Sequence, residues 1–311
     1  PHSLHAKNID TYTFLPFVID NRQGVCLGTS ILYLSLAQRL NLPLEIVTPP
    51  GHIYLRYRGE KIINIETTAR GVDTPSESYT GINTKDLQIR SLKNVIGLSF
   101  FNQASVAWRH KDFESCIQLY EKALLFIKED PLIQKFLAFH YLFTNQTKKG
   151  VELFKRLKTR PLSFIISQES IIEDYLNRKI DEEGIQAVYE MVDENRVSIE
   201  KKQEHLQKIL EKHPKYREGL FYLATTYLQL GRSLEAKKIL ERYERIDSQN
   251  INVNYYLCIL NIERYNYIKA WEYFDKTEKI AKDNNHYPRV LMDLKRRLRT
   301  FAPDPANLKT K

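Results

Sequence analysis

Three short stretches near the start of the chain hold the residue types of a nucleophilic site. Gly24-Val-Cys-Leu-Gly28 supplies a cysteine, Pro49-Pro-Gly-His52 a histidine, and Ile63-Asn-Ile-Glu-Thr-Thr68 a carboxylate, all within forty-one positions. In that order Cys26, His52 and Glu66 have the makings of nucleophile, base and orienting group for thiol-dependent acyl transfer. Asn64, two residues before Glu66, is a rival for the third place. Taken singly, each residue has an ordinary reading. A lone cysteine is most often a small buried apolar side chain, a histidine before a strand is ordinarily a surface or capping residue, and a glutamate is a solvated charge. Only the ordered triple argues for chemistry.

The surrounding pattern predicts the elements that would position these side chains. Thr29 to Leu42 reads as a mostly buried helix through Ile31, Leu32, Leu34, Leu36 and Leu40. Cys26 would then lie in its first turn, where free N–H groups and the positive end of the helix dipole favour a thiolate. Backbone N–H groups at that helix start, together with Gln23, are the candidates for holding an oxyanion. His52 opens an alternating run to Arg58, Arg58-Gly59-Glu60 reads as a turn, and Lys61 to Glu66 is a second run. Two short runs around a glycine turn predict a β-hairpin, with Asn64 and Glu66 on one face because side chains alternate along a strand.

Residues 8–71 resemble the transglutaminase-like superfamily, in its compact bacterial branch. The resemblance rests on Thr13-Phe-Leu-Pro16, Asn21-Arg-Gln-Gly-Val-Cys-Leu-Gly28, Leu32-Tyr-Leu34, Ala37-Gln-Arg-Leu-Asn-Leu42, Pro50-Gly-His52 and Glu66-Thr-Thr68. It implies a papain-like thiol site on an α+β domain, a helix packed on a small antiparallel sheet. The family order of Cys at a helix start, His on one strand and an acid on the next falls on Cys26, His52 and Glu66. The chain departs from the family in having Glu66 where Asp is usual. Many members of that branch have lost the cysteine; this chain keeps it.

Composition sets the wider bounds. The chain has 311 residues, 42% hydrophobic and 27% charged, with few Gly and Pro, which fits a folded protein long enough for two domains and favours helical packing over a loop-rich sandwich. Its net charge of +9 is spread along the chain, and Lys295-Arg-Arg-Leu-Arg299 is the densest basic cluster. With no nucleic-acid motif beside it, that cluster reads as the solvated face of a last helix. Cys26, Cys116 and Cys258 lie far apart, so neither a disulfide framework, a metal site nor a cofactor is expected. No run of 18 apolar residues suggests a membrane span, and a free thiol suits a reducing, cytoplasmic setting. The chain begins at Pro1, so upstream sequence, a leader included, is open.

From about residue 98 the pattern turns to helix periodicity and repeats every 34 residues. The interval links Trp108 with Leu142, Cys116 with Gly150, Tyr120 with Phe154 and Ala123 with Leu157. It also links Ala224 with Cys258, Gly231 with Tyr265, Ala236 with Ala270 and Leu240 with Phe274. A small residue at one helix crossing, with an aromatic or Leu four positions on, resembles the tetratricopeptide repeat. The small residue lets the two helices touch, and the larger one fills the gap beside it. Residues 1–97 are therefore read as the transglutaminase-like domain and 98–301 as an all-α tetratricopeptide-repeat solenoid, with 302–311 as a tail. Clear repeats fall near 98–131, 132–161, 214–247 and 248–281. A worn repeat is expected near 164–197, a single helix over 198–212, and a capping helix near 286–301. Met191 and Met292 read as core, and residues 67–97 as a loop followed by a short helix from Thr84.

Two functions fit. One is a cysteine-dependent acyl transferase or hydrolase whose repeats bring it a protein or peptide. The other is a non-enzymatic adaptor, in which a relic domain supports binding by the repeats. Repeat arrays of this kind bind proteins on a concave face, where Asn102, Gln103 and Asn254 are the candidate contacts; no nucleic-acid partner is expected.

Overall fold

The computed structural model describes residues 12–304. Two short helices open it, α1 (Leu15–Asn21) and α2 (Cys26–Arg39). Five strands follow, β1 (Leu44–Thr48), β2 (Tyr54–Arg58), β3 (Ile62–Glu66), β4 (Val72–Asp73) and β5 (Gln88–Arg90), in one antiparallel sheet of order β4-β3-β2-β1-β5. The predicted hairpin is β2–β3, with Leu55 opposite Ile65 and Arg56 opposite Asn64. His52 lies two residues before the strand proper.

Helix α2 covers the sheet with the stripe Leu27, Ser30, Leu34 and Ala37, the i, i+3, i+7 spacing of one helix face. Leu36 and Leu40, expected inside, are exposed: Leu36 is off that stripe and Leu40 lies beyond the last helical residue. Leu27, Leu34, Ile46, Ile53 and Leu55 form one core, and Val95 of the next helix joins it.

That next helix, α3 (Leu92–Arg109), begins earlier than expected. Residues 84–87 form no helix; Thr84 instead makes an isolated bridge to Ile165. Ser91 caps α3 in a reciprocal box with Asn94. The expected boundary between 97 and 98 falls inside this helix, because Val95 serves the sheet core while Ala104 sits at the first repeat crossing.

Helical hairpins follow: α3 with α4 (Phe113–Phe126) and α5 (Pro131–Phe143) with α6 (Thr147–Lys158); the short α7 (Ile171–Leu176) and α8 (Glu182–Tyr189) come next, α8 packing on the two helices after it. Then come α9 (Arg196–Lys212), α10 (Arg217–Gln229) with α11 (Ser233–Glu244), α12 (Ile251–Glu263) with α13 (Tyr267–Asp283), and α14 (Arg289–Phe301). The 34-residue pairs read from the sequence occupy equivalent places. Cys116, Gly150, Ala236 and Ala270 are buried at helix crossings, and Tyr120, Phe154, Leu240 and Phe274 are buried four residues on. A Cβ placed on Gly150 would lie 2.6 Å from Leu142 Cδ2 and 3.0 Å from the Ala138 carbonyl, so the crossing is a near backbone contact. At Gly184, expected as the small residue of a worn repeat, the nearest atom is 3.5 Å away and belongs to Ile180, so no close crossing is made there. The hairpin turns share a left-handed residue at the same interval: Lys111, Asn145, Gly231 and Tyr265. Helix α14 buries Leu291, Leu294 and Leu298, whereas Met292 and Met191, expected as core, are exposed.

The chain divides into two compact units. One holds the described residues up to 79 together with 86–162, the other 80–85 with 163 onward. The short segment 80–85 belongs to the second unit: Ile82 joins its core, Asn83 bonds Ser167 through both side-chain polar atoms, and His286 Nε2 lies 2.9 Å from the Gly81 carbonyl.

Candidate active site

Cys26 is the first residue of α2, after Val25 at the N-cap. No side chain caps this helix start, so its first N–H groups face outward without the usual local acceptor. The chain reaches this point by close passage of the 12–13 segment over Gly28. A Cβ there would lie 2.2 Å from the Tyr12 carbonyl oxygen, which also accepts the Val25 N–H at 3.3 Å.

His52 is set by the turn Pro49-Pro50-Gly51-His52. Gly51 has φ +71° and the His52 N–H donates to the Pro49 carbonyl at 3.1 Å. Pro at the second place and a left-handed Gly at the third are what a type II turn requires. The turn delivers the imidazole to the end of β2.

Glu66 ends β3 and caps the single turn Thr67–Ala69. Its Oε1 accepts from the Thr68 N–H at 3.1 Å and the Thr68 hydroxyl at 2.6 Å. Its Oε2 lies 2.6 Å from His52 Nε2 and accepts the Tyr79 hydroxyl at 2.7 Å. Next door, Thr67 Oγ1 meets Thr29 Oγ1 at 3.0 Å and Ser30 Oγ at 3.1 Å. These hydroxyls tie the turn carrying the carboxylate to the first turns of the helix carrying Cys26.

The electrostatics agree with the contacts. Burial works against a charged His52, but hydrogen bonding and charge from Cys26 and Glu66 outweigh it and raise its pKa from 6.5 to about 9. Burial likewise opposes the Glu66 carboxylate, and the donors Thr68, Tyr79 and His52 together hold its pKa below the ordinary 4.5. Cys116 and Cys258 are the contrast: burial pushes both thiols up to about 12.

Cys26, His52 and Glu66 thus come together. The rival Asn64 shares the face but is spent elsewhere: Oδ1 accepts Arg56 Nε at 2.8 Å and Nδ2 donates to the Thr74 carbonyl at 2.9 Å. Gln23 is exposed, three residues before Cys26. Asn102 and Gln103 are half-buried on α3. Asn254 is a correction: it is fully buried, with Nδ2 donating to the carbonyls of Ser248 and Asn250, and offers nothing to a partner. In the basic cluster, Lys295 pairs with Glu278 at 2.7 Å and Arg296 with Asp293 at 2.8 Å. Among the described residues, no group of His, Cys, Asp and Glu is placed to hold a metal ion, and no helix is long and apolar enough to cross a membrane.

Sequence reasoning missed the parts played by Thr68 and Arg56. A Thr two residues after Glu66 is a readable local signal, because short polar side chains bond just such turn N–H groups. Arg56 carried a signal too, a charge in mid-strand between Leu55 and Tyr57.

The fold is that of a transglutaminase-like α+β domain followed by tetratricopeptide-type helical hairpins. The model of the transglutaminase-like superfamily matches residues 8–78. Among solved structures, the chain is similar to TTC0263, described as a thermophilic TPR protein in Thermus thermophilus, at 16% identity and TM-score 0.31, covering 66% of this chain and 98% of that one. It is similar to PilF of Pseudomonas aeruginosa at 13% identity and TM-score 0.33, covering 70% and 88%. It is also similar to MamA of Desulfovibrio magneticus at 13% identity and TM-score 0.29, covering 62% and 97%. No curated protein matches.

Proposed function

We propose that this protein is a cysteine-dependent acyl transferase or hydrolase whose helical repeats present a protein or peptide substrate. The observation that carries the reading is the unbroken run from Glu66 through His52 to Cys26 at an uncapped helix start. Nε2 of His52 is committed to Glu66, which leaves Nδ1 for the thiol and the substrate. At neutral pH the imidazole is held protonated by its raised pKa, so its first act is as an acid. The Cys26 sulfur attacks the carbonyl carbon and forms an S–C bond. The carbonyl π electrons move to oxygen, where the helix-start N–H groups, with Gln23 alongside, stabilise the anion. As the C–N or C–O bond breaks, His52 gives its proton to the leaving group. Neutral His52 then takes a proton from the water or amine that attacks the thioester, the S–C bond breaks with its electron pair returning to the Cys26 sulfur, and the acid or new amide leaves, which restores the starting state. Asn102 and Gln103 remain the candidate contacts on the repeats.

The adaptor alternative gives no reason for a carboxylate held by three donors beside a charged imidazole. The test is acylation by p-nitrophenyl acetate, mapped by mass spectrometry. Cys26 should take the acetyl group and release it to water or to an added amine, while Cys116 and Cys258 stay unmodified. His52→Ala should lose this. Equal labelling of Cys26 in wild type and His52→Ala would remove the basis of the reading.

A further inference from the structure

We infer that Tyr79 is a positioning residue of this site, fixing the Glu66 carboxylate and, through it, the imidazole of His52. This inference rests on the acyl-transfer reading of Cys26 and His52. The Tyr79 hydroxyl donates to Glu66 Oε2 at 2.7 Å, the same oxygen that meets His52 Nε2 at 2.6 Å. With Thr68 on Oε1, the carboxylate cannot turn about its axis without losing a short hydrogen bond. The Tyr79 ring lies nearly parallel to His52, 5.8 Å between centroids at 17°, and stacks on buried Tyr54 at 4.3 Å and 12°.

The ring is itself held. Tyr79 follows the turn Ser76–Ser78, and its N–H donates to the Ser76 carbonyl at 3.0 Å. Buried Arg56 donates to the Tyr54 hydroxyl at 2.7 Å and to Ser76 Oγ at 3.0 Å, and Asn64 Nδ2 reaches Ser76 Oγ at 3.2 Å. One guanidinium therefore fixes both the ring under Tyr79 and the turn that delivers it. This places Asn64, the rival for the third catalytic place, in the scaffold of the residue that orients the actual neighbour of His52. The phenol has a chemical role as well: by donating to Oε2 it favours the ionised carboxylate, the form that keeps the imidazole oriented.

The experiment is iodoacetamide alkylation of Cys26 in the full chain against pH, with the Glu66 carboxyl titration followed by carbon NMR. Tyr79→Phe keeps the stacking and removes only the hydroxyl. It should raise the Glu66 midpoint by about one pH unit and slow Cys26 alkylation at pH 7 severalfold, because the carboxylate, still ionised, is then free to turn away from His52. In a Glu66→Gln background it should cause no further slowing, because the hydroxyl acts through the carboxylate. A residue that merely packs would leave the midpoint unchanged in Tyr79→Phe. A wild-type rate and midpoint in Tyr79→Phe, with His52→Ala slowed, overturns the inference and leaves the acyl-transfer reading standing. If His52→Ala is not slowed, that reading falls and takes the inference with it. Should Tyr79→Phe fail to fold, fluorotyrosine at position 79 serves instead. Its more acidic hydroxyl should lower the Glu66 midpoint, and an unchanged midpoint overturns the inference.

Discussion

The His52 pair makes a definite claim about stability against pH. The folded pKa of His52 is raised from 6.5 to about 9, so the folded state binds its proton more tightly than the unfolded chain does. The stabilisation is fully present below pH 6.5 and is lost as pH rises through 9. At 1.36 kcal/mol per pH unit the full effect is about 3 kcal/mol, falling to about 2 kcal/mol at pH 7.5 and well under 1 kcal/mol by pH 9. His52 is 26% exposed, so solvent screening trims rather than removes this. Two other groups of the same compact unit, His140 and Cys116, have their pKa values shifted away from this window. Burial drives His140 down to about 4, so its effect lies on the acid side, and Cys116 at about 12 matters only above the ordinary thiol range. The assay is urea unfolding at half-unit steps from pH 6.5 to 9.5, followed by Trp108 fluorescence in a Trp271→Phe background so that one tryptophan reports on this unit. Wild type should lose about 2 kcal/mol more than His52→Ala across that range. Parallel curves for the two proteins would refute the ion-pair reasoning.

Two further outcomes follow from backbone geometry. Gly28→Ala forces a Cβ to 2.2 Å from the Tyr12 carbonyl and should cost about 1–3 kcal/mol or displace the 12–13 segment, read by thermal melting; Gly81→Ala, with nothing within 4 Å, should melt like wild type. Tyr265 holds a left-handed conformation at φ +58° while 80% exposed, in the turn equivalent to that of Gly231, so Tyr265→Gly should stabilise the chain by about 0.5–1 kcal/mol in urea unfolding, against a left-handed penalty of about 1–2 kcal/mol and the entropy of glycine.

What the sequence showed, and what it hid, follows the range of the interactions. The helix at Cys26, the β2–β3 hairpin and the 34-residue pairs are local periodicities, and each is readable from apolar spacing. The glycine at 150 announced a close crossing because no other residue fits there. The boundary at 97/98 was not readable, because α3 is one continuous helix whose first turns serve the sheet core and whose later turns serve a repeat. Asn254 looked like a surface amide on a repeat helix. Its burial depends on neighbouring helices, and its amide is used to bond carbonyls at the start of α12. At the site, the order of Cys26, His52 and Glu66 was legible, but the choice between Asn64 and Glu66 was not. Both share one strand face, and only the partners brought in by residues 68–79 separate them.

Those partners also account for a glutamate where the resemblance would have an aspartate. Glu66 does two jobs with one carboxylate. Oε1 closes the turn that follows it, through the Thr68 N–H and hydroxyl, while Oε2 reaches out to His52 and Tyr79. A side chain with one methylene fewer would bring its oxygens nearer the strand by roughly one C–C bond, about 1.5 Å. With its first oxygen kept on Thr68, it would leave His52 and Tyr79 beyond hydrogen-bond range, since such contacts fail past about 3.5 Å. The extra reach is what lets the carboxylate be both a cap and an orienting group. It also explains why the neighbours are tied so firmly: Thr67 is bonded to Thr29 and Ser30, so the turn that Glu66 caps is fixed to the helix that begins at Cys26. The longer acid and the hydroxyl cluster are therefore one arrangement, in which the position of the carboxylate relative to the thiol is set by the backbone at 67–69 and not by the flexible glutamate alone.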